Sequence, residues 1–213
     1  MKAIVRLGLL VAMLTFGPAL SASMPMRIAL MVDTSAATSS SITLIREGVV
    51  AFLDALPPEH EVLLVSTGRR TQVRVPPTTD RKKLKDSARG LSNDNGPTPL
   101  IDGLLEIDGR FLRKATGQWC VFVVITGDGS ESSTGTDEQA FNRWLTEVAK
   151  RGVSASAIVL KASGTGLPEL VASTLVKATG GHYNVMSNGS GLPDAMKQLA
   201  NELAYDAERK TAN

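Results

Sequence analysis

Apolar residues along the chain gather in short unbroken runs, and between the runs they recur every third or fourth position. Met26 to Val32 (MRIALMV) is one such run and ends in Asp33. A short apolar stretch without alternation predicts a strand buried on both faces. Beyond Ser39 the period changes. Ile42, Ile45, Val49, Phe52 and Leu56 fall on one helical face while Arg46, Glu47 and Asp54 fall on others, which predicts an amphipathic helix stopped by Pro57-Pro58. Glu61 to Thr67 and Thr71 to Val75 flank Gly68-Arg69-Arg70 and read as a β-hairpin that Pro76-Pro77 closes. A short charged helix is predicted over Asp80 to Arg89. Another runs from about Pro99 to Lys114, with Ile101, Leu104, Leu105 and Leu112 facing inward and proline in the first turn.

Gln118 to Thr126 (QWCVFVVIT) is the most apolar strand candidate after the leader, so it is expected at the centre of a sheet. Helix Glu138 to Arg151, strand Val153 to Leu160, helix Leu167 to Thr179, a short strand around His182 to Val185 and a helix from about Leu192 to Glu208 complete the chain. Strands alternating with helices predict an α/β fold, Rossmann-like and doubly wound. Its central sheet is mostly parallel with an antiparallel edge strand from the hairpin, and helices cover both faces.

Composition adds a boundary. At 213 residues, 43% hydrophobic and 21% charged, the chain is globular rather than disordered, collagen-like or disulfide-stapled. Residues 1–23 place Lys2 and Arg6 before an apolar stretch from Leu7 to Phe16 and a small-residue tail, the pattern of a secretory signal peptide cleaved after Ala22. Residues 24–213 then form one domain, destined for the periplasm or the exterior. The whole chain carries 23 basic and 21 acidic residues. Both surplus charges sit in the leader, so the mature chain has no net side-chain charge. The single cysteine, Cys120, lies in an apolar run and is expected to be buried.

Three polar clusters fall where the predicted strands end. Asp33-Thr34-Ser35 follows the first strand, Asn95-Gly96-Pro97-Thr98 precedes the third helix, and Gly127-Asp128-Gly129-Ser130 follows the central strand. In an open parallel sheet, ligands bind beyond the carboxyl ends of the strands, where strand order reverses. Two carboxylates and two or three hydroxyls at one such place suit a hard cation such as Mg²⁺. Each cluster also suits a structural role: Asp33 and Ser35 as helix caps, Thr98 and Asp128 as turn residues.

These residues resemble the metal-ion-dependent adhesion site of von Willebrand factor A domains, written Asp-x-Ser-x-Ser in a first loop with a threonine from a second and an aspartate from a third. Asp33 and Ser35 match the first loop, Thr98 within Gly-x-Thr-Pro-Leu the second, and Asp128 the third. The resemblance covers essentially the whole mature chain and is strongest to the bacterial exported subgroup. It implies metal ligation by Asp33, Ser35, Thr98 and Asp128, with Mg²⁺, Mn²⁺ or Ca²⁺ as the ion. It also implies contact with a protein partner, through an acidic residue of that partner, at Thr34, Gly96, Pro97, Gly129 and Ser130. Two positions depart from the pattern: Ala37 stands where the second serine belongs, and the third loop reads Thr-Gly-Asp-Gly.

Other functions have less support. Arg69 to Arg89 holds eight basic residues against Asp80 and Asp86, a surface suited to a metal-free scaffold with an acidic partner or to contact with lipid headgroups. Nucleic acid is not expected, because that segment contains no aromatic residue. A metal-dependent hydrolase would need a base, and the two histidines lie elsewhere, His60 in a predicted surface loop and His182 at a strand start. No enzymatic activity is expected.

Overall fold

The computed structural model describes residues 23–161 and 166–212; the predicted signal peptide lies almost wholly outside the described residues. Six strands, β1 (Met26–Asp33), β2 (Glu61–Thr67), β3 (Thr71–Thr78), β4 (Trp119–Gly127), β5 (Ser154–Leu160) and β6 (Tyr183–Met186), form one sheet in the order β3-β2-β1-β4-β5-β6. Only β2 and β3 pair antiparallel. The chain winds from β1 toward β2 and β3, then crosses to β4 and continues the other way. The order therefore reverses between β1 and β4, the two most central strands. The expected doubly wound, mostly parallel sheet with an antiparallel edge is the observed one.

Strand pleating divides the core into two layers. Ile28, Leu30 and Val32 of β1 and Val121, Val123 and Ile125 of β4 face one layer, closed by α1 (Ile42–Ala55), α2 (Arg81–Arg89) and α6 (Leu192–Ala212). Ala29 and Met31, with Phe122 and Val124, face the other, closed by α3 (Leu100–Ile107), α4 (Glu138–Lys150) and α5 (Leu167–Thr179). Both faces of β1 and β4 are thus covered, which is why their sequences show no polar alternation.

Four expectations need correction. β3 runs through Pro76-Pro77 to Thr78, which pairs with Val62 across register shifts; an edge strand tolerates proline because one row of its N–H groups faces outward. The third helix ends at Ile107 and widens into a π-helical turn, Asp108–Leu112, with Pro99 at its N-cap instead of its first turn. That turn buries Asp108, whose carboxylate accepts from Trp144 Nε1 (3.0 Å), Arg113 Nε (3.2 Å) and Arg151 Nη2 (2.7 Å to each oxygen). Cys120 is only half-buried and donates to the Leu112 carbonyl at 3.4 Å.

His60 is the fourth. It is fully buried instead of lying in a surface loop, and its Nδ1 accepts from the Met26 N–H at 3.2 Å. Burial pushes its imidazole below the ordinary range, Glu59 opposing and Arg81 adding to the shift. The folded state therefore favours the neutral ring. Its contribution to stability is complete above the unfolded value of about 6.5 and is lost as pH falls through the lower folded value. Denaturation midpoints measured from about pH 8 to about pH 5 are expected to decline below about 6.5 in the wild type and to flatten in His60→Gln.

Candidate binding edge and family membership

Pairing of Val32 with Ile125 brings the end of β1 beside the end of β4, and pairing of Asp33 with Thr67 brings it beside the end of β2. Asp33 is 1% exposed. Its Oδ1 accepts from the Ser35 N–H at 2.7 Å, and its Oδ2 accepts from the Gly127 N–H at 3.0 Å and Thr126 Oγ1 at 3.2 Å. One carboxylate thus joins the first loop to the central strand. Burial pushes it above the usual carboxylate range, and the hydrogen bonds from Gly127, Ser35 and Thr126 oppose that shift. No ion pair among the described residues involves Asp33.

The Thr67 carbonyl at the end of β2 ties the first two loops together, accepting from the Thr34 N–H at 3.3 Å and from Thr98 Oγ1 at 3.0 Å. Further links follow: Ala36 N–H donates to the Gly96 carbonyl (2.9 Å), Asp94 N–H to the Thr34 carbonyl (3.0 Å), and Asn93 Nδ2 to the Ser35 carbonyl. The third loop joins at Thr98, whose N–H donates to the Ser130 carbonyl at 3.0 Å and whose carbonyl accepts from Ser132 N–H at 2.9 Å. All three loops therefore form one hydrogen-bonded edge.

Asp33, Ser35 and Thr98 are buried within this edge. Asp128, half-buried, follows β4 directly, and its backbone carbonyl lies against Gly166, where an added Cβ would come within 2.2 Å of it. Pro97 and Ser130 are exposed and Gly129 is half-buried, whereas Thr34 and Gly96 are buried. The sequence reading passed over Thr126, Asn93 and Asp94. Asp94 accepts from the Arg69 N–H at 3.0 Å and the Gly96 N–H at 3.4 Å, and the Asn93 side chain accepts from the Asn95 N–H at 2.8 Å. Asn95 itself holds φ 53°. The Asn-Asp-Asn-Gly run was the available signal, since these residues close turns on their own backbone and tolerate left-handed conformations. Thr38, a possible source for the missing hydroxyl, turns its Oγ1 to the carbonyls of Asp33 (2.9 Å) and Ser35 (3.2 Å) instead.

Ala37 occupies the centre of the edge. A Cβ on Gly127 would lie 2.9 Å from the Ala37 Cβ, and one on Gly129 would lie 2.5 Å from it. The first and third loops thus meet methyl against glycine, which only glycine permits at those positions.

Residues 28–131 match the model of the von Willebrand factor type A domain. The chain carries a von Willebrand factor type A domain. A von Willebrand factor type A protein from Catenulispora acidiphila has the same fold (TM-score 0.69, 14% identity), with 83% of this chain covering 42% of that one. The vWF domain of a type V pili tip protein from Porphyromonas gingivalis matches at TM-score 0.69 and 10% identity, over 87% of this chain and 97% of its own. The mussel byssus proximal thread matrix protein 1, with a zinc-occupied adhesion-site motif, matches at TM-score 0.65 and 17% identity, over 85% of this chain and 46% of its own. This chain therefore spans under half of the Catenulispora and mussel chains. At these identities the likeness carries the fold. No curated protein matches the sequence. vWA domains are protein-interaction modules, generally non-catalytic, and often hold a divalent metal at the adhesion site.

The methyl-to-glycine contact sets a measurable coupling. Gly127→Ala is expected to cost about 1–3 kcal/mol through overpacking, and Ala37→Gly in the same chain to recover part of that loss. Chemical denaturation of the two single variants and the double variant checks this; strictly additive losses would contradict it.

Proposed function

We propose that this vWA domain is an exported, non-catalytic binding module that grips a protein partner through the loops at the carboxyl edge of its sheet. The supporting observation is Asp33, a carboxylate buried without an ion-pair partner among the described residues, at the point where strand order reverses. Buried charge is costly unless compensated, and a cation outside the Ser35 and Thr98 hydroxyls would compensate it.

The donor set fits such an ion. Thr98 gives its hydroxyl proton to the Thr67 carbonyl and Ser35 gives its own to Asp33, which leaves oxygen lone pairs on both for a hard cation. Ser35 and Thr98 are the oxygen ligands of this proposal, Asp33 supplies charge from behind Ser35, and Asp128 supplies charge from the third loop. Mg²⁺ is the ion of choice, with Mn²⁺ or Ca²⁺ as substitutes. A bound cation would offer positive charge to a partner's acidic side chain, and Pro97, Gly129 and Ser130 would frame that contact. Affinity follows ligand charge. With Ala37 contributing no oxygen, the isolated domain is expected to hold the ion only at a Kd on the order of 10⁻⁴ to 10⁻³ M.

Residues 1–23, read as a signal peptide, carry the export part of the proposal, toward the periplasm or the exterior. Among the described residues no helix is long and apolar enough to cross a membrane. Neither histidine stands at this edge: His60 precedes β2 and His182 precedes β6, both at the amino ends of the strands and opposite Asp33. The basic Arg69 to Arg89 surface is the weaker binding face, because at least four of its eight basic side chains are already engaged within the fold. Lys82 and Arg89 pair with Asp86, Lys85 pairs with Asp54, and Arg81 turns to the Pro57 and His60 carbonyls.

Calorimetric titration with Mg²⁺ and Mn²⁺ tests the cation. Weak heat is expected that Asp33→Ala abolishes, Thr98→Val reduces at least about tenfold and Lys82→Glu/Lys83→Glu leaves unchanged. No heat from the wild type contradicts the cation. Partner capture lost on charge reversal at Lys82 and Lys83, but not at Asp128, would instead favour the basic surface.

A further inference from the structure

A second feature of the surface lies beside the loop edge. Between α4, α5 and the loop that follows Ser130 runs a groove of about 590 Å³, within the range of sites that enclose small molecules or peptide side chains. Its apolar floor comes from Phe141, Leu167, Leu170 and Val171. Leu167 is 48% and Leu170 60% exposed, so adjacent large side chains on α5 stand in water without a covering element.

Around that floor stand Glu131, Asp137 and Glu138, and no lysine or arginine is among the lining residues. None of the three carboxylates takes part in an ion pair among the described residues, in contrast to Asp54, Asp86 and Asp108, each of which pairs with a neighbouring cation. Uncompensated negative charge around an apolar floor selects an occupant with the opposite pattern.

The rim is also preformed. Glu131 accepts from the Ile101 N–H at 3.2 Å and the Ser133 N–H at 2.8 Å, and Asp102 accepts from the Thr134 and Gly135 N–H groups at 3.0 Å each. These bonds pin the 131–135 loop to the start of α3. Asp137 caps α4 through the Ala140 N–H at 2.7 Å. A held rim spares an incoming chain the ordering cost of building its own site. Glu131 also bridges to Thr98, so the groove opens directly beside the proposed binding edge.

We infer that this groove docks a segment of a protein partner in which basic side chains alternate with aliphatic ones, the aliphatic groups seated over Leu167, Leu170 and Val171 and the basic groups facing Glu131, Asp137 and Glu138. The inference extends the reading of the domain as a binding module by adding a second contact of opposite charge preference to the acidic group expected at the loop edge. It does not require the cation.

The test uses the mature chain and a fluorescein-labelled, acetylated peptide of alternating leucine and lysine, followed by anisotropy at low salt and in EDTA. Saturable binding is expected, weakened at least about tenfold by Leu170→Glu and by Glu138→Lys, and weakened by added salt. Both positions are exposed, so each variant keeps its fold, and circular dichroism checks that it does. A matching leucine–glutamate peptide is expected not to bind. Absence of saturable binding overturns the inference, as does equal binding of the two peptides. Sedimentation showing a dimer that Leu170→Glu dissolves would overturn it in favour of self-association. Peptide binding is expected to be the same in EDTA and in excess Mg²⁺, while calorimetry reads the cation at the loop edge, so failure of either site is read separately.

Discussion

One buried carboxylate organises the working end of this molecule. Asp33 terminates the most central strand pair of a sheet covered on both faces, where water does not reach to solvate it. Its negative charge is tolerated because the end of β4 and the first loop present donors to it: the Ser35 and Gly127 N–H groups and the Thr126 hydroxyl. Those bonds stabilise the charge only in part, since burial still outweighs them in setting its proton affinity. The strand order that places β1 beside β4 therefore creates both a crevice and a charge at its base. The residual imbalance is what a cation or a partner's donor group would relieve.

From that point outward the edge is built mainly from backbone. The Thr67 carbonyl holds Thr34 and Thr98, the Gly96 carbonyl holds Ala36, and Thr98 exchanges two bonds with the third loop. A surface fixed in this way meets a partner with little rearrangement, which favours recognition by complementarity over induced ordering. Ala37 belongs to the same logic. Its methyl fills the contact with Gly127 and Gly129 and tightens the junction of two loops, while removing an oxygen from the pattern that the family often uses for metal. On the proposed reading, the domain would trade ligand strength at the ion for rigidity of the edge, and a partner would carry a larger share of the binding energy.

The sequence disclosed the fold well because the informative strands are covered on both faces. Met26 to Val32 and Gln118 to Thr126 lack polar alternation for that reason, and every helix between strands kept its own period. Asp33, Ser35 and Thr98 were legible because each follows or precedes an apolar run at a turn. What stayed hidden was decided by tertiary contact. His60 looks like a loop residue beside Pro57-Pro58-Glu59, yet the Met26 N–H needs an acceptor and draws it inside. Asp108 reads as one more charge on a helix, yet Arg151, Arg113 and Trp144 converge on it from elsewhere in the chain. Pro76-Pro77 suggests a strand end, but position at the sheet edge removes the penalty. The Leu167 and Leu170 surface was equally silent, because its meaning depends on acidic residues that another loop contributes.

The central claim is that a cation and a partner meet at the three loops around Asp33. Paramagnetic relaxation by Mn²⁺ in NMR spectra of the mature domain locates the ion without assuming its ligands. The account predicts selective broadening of the amides of Ser35, Thr98 and Gly129 at sub-stoichiometric Mn²⁺, reversed by excess Mg²⁺. Broadening centred on the acidic groove or scattered over surface carboxylates, with the loop amides unaffected, would contradict it.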